Sequence, residues 1–123
     1  MIRPGIALRV VLFAFWAAAI VTLVLAVLPP SEKPPLIPWD KAAHFLAFYV
    51  LAVLASGAFP RRPLLLLALG LSTYGALVEL IQALPFVDRD ASVWDWVADT
   101  VAIAAALLPL FIPRWRAWLG RDR

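Results

Sequence analysis

Four apolar stretches, each about as long as a bilayer is thick, limit what this chain can fold into. They run approximately over 6–28, 42–59, 64–84 and 93–112, with charged or proline-rich links between them. A helix rises about 1.5 Å per residue, so roughly 18–23 residues match a hydrocarbon core of about 30 Å. Inside that core every backbone polar group needs an internal partner, which a helix supplies within one segment. The expected fold is therefore all-α: an integral membrane four-helix bundle in a single domain, 1–123, with a basic C-terminal tail over 113–123. Of the 123 residues, 64% are hydrophobic and 15% charged. A soluble domain of this size could not hide so much apolar surface.

Several function classes drop out. The net charge of +3 comes from arginines at the segment ends, so no nucleic-acid partner is expected. The absence of cysteine removes disulfides and thiolate chemistry. The first stretch begins with Arg3 and Arg9, as a secretory signal would. Its apolar run is longer than a signal core, and Ala26-Val27-Leu28-Pro29-Pro30 is a poor cleavage site. It reads as a retained helix.

Orientation follows from positive charge. With both termini cytoplasmic, Arg3, Arg9, Arg61, Arg62, Arg114, Arg116, Arg121 and Arg123 face inward, and only Lys33, Lys41 and Arg89 face outward. Trp39, Trp94 and Trp96 then mark the outer interface, and Trp115 and Trp118 the inner one. The expected location is the cell membrane, crossed several times, with membrane lipids as partners. Small residues recur every fourth position at Ala14, Ala18, Thr22 and Ala26, and again at Ala98, Ala102 and Ala106, a pattern that lets helix backbones approach closely.

That topology gathers the scattered polar residues into one layer near the outer face. Asp40 starts the second helix, and His44 lies one turn deeper, about 6 Å in. Glu79 lies roughly 9 Å below the end of the third helix, with Gln82 on the same face. Asp95 and Asp99 share a face of the fourth, Asp99 roughly 10 Å deep. Lys41 and Arg89 bring positive charge nearby. Simpler roles compete at each position. Asp40 reads as an N-cap, and Ser92 with Asp95 as a capping box. Lys41 reads as a snorkelling interface residue, Arg89 as a loop charge, and His44 as a buried histidine satisfied by Asp40. Glu79 and Asp99 cap nothing, so each needs a partner, a proton or water.

At these residues the chain resembles the VanZ-like family of small membrane proteins. The resemblance rests on Asp40-Lys41-Ala42-Ala43-His44-Phe45, Glu79-x-x-Gln82, Arg89-x-x-Ser92-x-x-Asp95 and Asp99-Thr100, and spans roughly residues 29–108. Asp99 stands where the family usually has asparagine, and Ala102 where glycine is typical. The resemblance implies a cell-envelope role. The family is named for a protein associated with low-level teicoplanin resistance, has no settled activity, and implies no resistance for this chain.

The leading expectation is a membrane-embedded enzyme acting on a lipid-linked or amphiphilic envelope substrate. His44, Glu79, Asp95 and Asp99 are its catalytic candidates, with His44 and Glu79 as acid and base. Asp40, Lys41, Gln82, Arg89 and Ser92 are its substrate-binding candidates, Lys41 and Arg89 suiting a phosphate or carboxylate. The alternative is a non-enzymatic binder or modulator. Proton or ion movement ranks lower, because the inner halves of the stretches carry no acids. No cofactor is expected. His44, Glu79, Asp95 and Asp99 have donors that suit a divalent metal, but no spacing here is a metal motif.

Overall fold

A computed structural model describes residues 4–28, 40–85 and 93–120. Among them every regular element is a helix: α1 (Pro4–Val27), α2 (Asp40–Ala58), α3 (Leu64–Gln82) and α4 (Val93–Gly120). Three stretches are long and apolar enough to cross a membrane, Gly5–Val27, Leu64–Gln82 and Val93–Ile112. The apolar part of α2, Ala42–Ala58, is shorter than the span expected there. The polar pair Asp40-Lys41 forms its first turn, and Phe59-Pro60-Arg61-Arg62 ends it. Large apolar side chains face outward along the helices, among them Phe13, Ile20, Leu65 and Leu80, each more than 60% exposed. Such a surface belongs in lipid rather than water.

α2 packs most extensively on α4 and next on α1, while α3 leans on α4. α1 and α4 do not meet among the described residues. Small side chains are buried on both α2 and α4: Ala52, Ala55, Ala102 and Ala106. They let the backbones approach closely, and Phe48, Leu51 and Ile103 fill the space that remains. Ala26 of the α1 stripe is buried as well, and Ala18 packs on the edge of the core.

The helix ends depart from expectation in two places. α3 stops at Gln82, two residues short of the expected 84. Pro85 disfavours helical geometry just before it, and the Ala83 and Leu84 amides fold back to the carbonyls of Glu79 and Ile81. α4 continues to Gly120, through Pro109 and Pro113, so 113–120 extend the helix instead of forming a separate tail. Each proline forfeits one backbone bond, and the bonds on either side carry the helix onward. Between α2 and α3, the Arg62 amide donates to the Phe59 carbonyl across a tight turn containing Pro60. This short link makes α2 and α3 antiparallel neighbours.

Candidate functional site

α2, α3 and α4 each deliver one side chain to a single point at one end of the bundle. His44 lies one turn into α2, Glu79 one turn before the end of α3, and Asp99 in the second turn of α4. His44 Nδ1 is 3.0 Å from Asp99 Oδ1, a hydrogen bond, and 3.9 Å from Glu79 Oε1. The side chains of His44, Glu79 and Asp99 are only 10%, 11% and 0% exposed. An ionised carboxylate only accepts, so with Asp99 charged, Nδ1 carries the proton and Nε2 presents a lone pair. The bond to Asp99 thus sets both the tautomer and the tilt of the imidazole.

Close helix approach makes room for this arrangement. Gly75, one turn before Glu79, faces Asp99 so closely that a Cβ there would lie 3.0 Å from Asp99 Oδ2. Next to it, Ser72 Oγ and Thr100 Oγ1 are 3.1 Å apart, and Trp96 Nε1 donates to the Ser72 carbonyl at 3.0 Å. These bonds fix α3 against α4 just below the carboxylates. Trp96, expected at the membrane interface, also ties α4 to α3; Trp94 is 69% exposed.

The remaining candidates divide clearly. Asp95 is buried one turn before Asp99, but outside the three-donor point. Gln82 is 1% exposed, and its Nε2 donates to the Ala26 carbonyl at 2.9 Å, tying α3 to α1. Its Oε1 has no hydrogen-bond partner among the described residues. The side chains of Asp40 and Lys41, and all of Arg89 and Ser92, lie outside the described residues, as does the capping box expected at Ser92 and Asp95.

Sequence reasoning missed Ser72 and Gly75, and named Thr100 only as part of the Asp99-Thr100 resemblance. Gly75 carried a usable signal, because a glycine four residues before a membrane glutamate shares its face. Ser72 lies one further turn along that face.

Both carboxylates approach the same ring nitrogen, so the imidazole can exchange a proton at Nε2 while Nδ1–H stays against Asp99. The nitrogen and two carboxylate oxygens also lie within 4.8 Å of one another, so His44, Glu79 and Asp99 could hold a divalent ion. Donors from three helices leave no local spacing in the sequence. Beside His44 a cavity of about 100 Å³ runs between α1, α2 and α3, walled by Thr22, Ala26, Phe48 and Val78. It is large enough for roughly three waters or a small polar group. The chain matches no family model, no curated protein and no solved structure.

Proposed function

We propose that this chain is a VanZ-like membrane protein of the cell envelope, and that its polar centre acts on a lipid-linked or amphiphilic substrate. Both termini lie in the cytoplasm in this reading, because eight arginines favour that side. The centre then opens at the outer face, at the depth of lipid head groups. One observation carries the reading: His44 Nδ1 stands 3.0 Å from Asp99 and 3.9 Å from Glu79 in a nearly buried site. Buried titratable groups from three helices, meeting beside a cavity, are a common mark of acid–base chemistry. Asp99 orients the imidazole, His44 takes up the substrate's proton at Nε2, and the Glu79 carboxylate, 3.9 Å from Nδ1, balances the positive charge the ring then carries. Lys41 and Arg89 are assigned to the substrate's anionic group.

A binding role without chemistry is the second reading. Its support is the cavity wall, where Ala26, Phe48 and Val78 suit an apolar group as well as a reacting one. Glu79→Gln separates the two, since it keeps the shape and removes the charge. The acid–base reading expects this variant to fail in complementing the envelope phenotype of a deletion, at normal abundance by blot. Asp88→Asn, in the loop, should complement fully. Full activity of Glu79→Gln would overturn the acid–base reading and leave the binder.

A further inference from the structure

Two cavities lie end to end along one seam of the bundle. The smaller, about 100 Å³, touches His44. The larger, about 290 Å³, follows the same three helices away from it, walled by Trp16 and Ala19 of α1, Leu51 and Ala55 of α2, and Gly70 and Leu71 of α3. On each helix the residues lining the second cavity follow directly on those lining the first. Between the two stands Tyr74. Its ring lies against Phe48, with centroids 5.8 Å apart, and its hydroxyl donates to the Ala19 carbonyl across the gap between α3 and α1.

We propose that this seam holds a single hydrocarbon chain of a polar lipid, with the head group at His44, the chain running toward Phe59, and Tyr74 as the gate. The polarity gradient fits an amphiphile. One end is lined by the His44 imidazole and the Thr22 hydroxyl, with the carboxylates behind His44; the other is lined by aliphatic and aromatic side chains. From His44 to Phe59 the helix rises about 22 Å, comparable to an extended lipid chain. The larger cavity has room for on the order of ten methylene groups, each taking about the volume of one water. That suits one chain and excludes two. The mouth lies between Trp16 and Leu66, which are 56% and 52% exposed, so the chain enters sideways from the lipid. Space there is kept by Gly70, where an added Cβ would meet nothing within 4 Å. The inference rests on the proposed function only for what happens to the head group; the chain site stands on the cavities.

The test is photo-crosslinking. The full chain is placed in nanodiscs of dioleoylphosphatidylcholine with hexadecyl phosphate carrying a mid-chain diazirine, and adducts are mapped by mass spectrometry. The seam predicts adducts concentrated on Trp16, Ala19, Gly70 and Leu71, displaced by unmodified hexadecyl phosphate. Gly70→Phe puts a ring into the open space and should cut this labelling roughly fivefold or more, since overfilling a packed site costs at least about that factor. Gly70→Ala should label like the wild type and controls for the backbone change. Adducts spread over outward residues such as Phe13 and Leu65, or labelling unchanged by competitor and by Gly70→Phe, would overturn the proposal. Seam labelling with an active Glu79→Gln would sink the acid–base reading alone; scattered labelling with an inactive Glu79→Gln would sink the seam alone.

Discussion

Gly75 and Asp99 meet where α3 packs on α4, and the contact leaves no room for a methyl group. A Cβ on Gly75 would lie 3.0 Å from Asp99 Oδ2 and 3.4 Å from Phe48 Cε1. Gly75→Ala must therefore displace the carboxylate that orients His44, and should cost about 1–3 kcal/mol together with most of the activity. Gly70→Ala, five residues away in open space, should gain up to about 1 kcal/mol from helix propensity. Unfolding of both variants in mixed micelles measures the contrast. Equal stability of the two would mean that the helices are farther apart than described.

Asp99 acts on His44 through a hydrogen bond that an amide oxygen can also accept. Asp99→Asn is thus expected to retain partial complementation, and Asp99→Leu to abolish it at equal abundance. If the two variants fail alike, the negative charge is needed, and orientation alone does not explain Asp99.

Trp96 and Val101 lie on the same helix but do different work. Trp96→Phe loses the bond to the Ser72 carbonyl and should destabilise the bundle by about 0.5–1.5 kcal/mol. Val101→Ala, at an exposed side chain, should change stability by less than about 0.5 kcal/mol. Micelle unfolding again reads the difference, and similar losses at both sites would refute the tie between α4 and α3.

Gln82 ties α3 to α1 through the Ala26 carbonyl. Gln82→Leu should loosen that side of the bundle by about 0.5–1.5 kcal/mol. It should also slow disulfide formation between cysteines introduced singly on α1 and α3 at Leu25 and Ile81. An unchanged cross-linking rate would show that packing alone holds the two helices.

Orientation is open to direct measurement because the chain has no cysteine of its own. Single cysteines at Ser31 and Ala91 should react with an impermeant thiol reagent in intact cells or spheroplasts, and one at Gly120 should not. The reverse pattern would put the polar centre on the cytoplasmic side.

The shared layer of His44, Glu79, Asp95 and Asp99 was legible in the sequence because each lies within about two turns of the same bundle end, but the trio expected to meet was His44, Glu79 and Asp95, and the structure brings Asp99 there instead. Which atoms would touch was not legible. Asp95 and Asp99 share a helix face in sequence, yet they lie about 6 Å apart along the helix axis, and only Asp99 is at the height of the imidazole. The bond from Trp96 to the Ser72 carbonyl was hidden for a related reason: tryptophan suits both a lipid interface and a hydrogen bond to a neighbouring helix, and the partner shows only in the packing. Alanine is so common here that the buried Ala52 and Ala55 did not stand out from exposed ones such as Ala104. The run of α4 through Pro109 and Pro113 escaped a local rule because continuing the helix loses only a bond at each proline.

None of the three donors comes from α1, and α1 does not reach α4. Yet α1 forms one wall of both cavities. α2 and α3 wall the cavities and also carry His44 and Glu79, so α1 is the one wall that brings no donor of its own. If the seam holds a lipid chain as proposed, changes along positions 15–26 would retune which tails are accepted while the donors stay undisturbed. Descendants of such a protein could diversify their ligands by drift in a single helix, and swapping α1 between two of them would exchange their preferences.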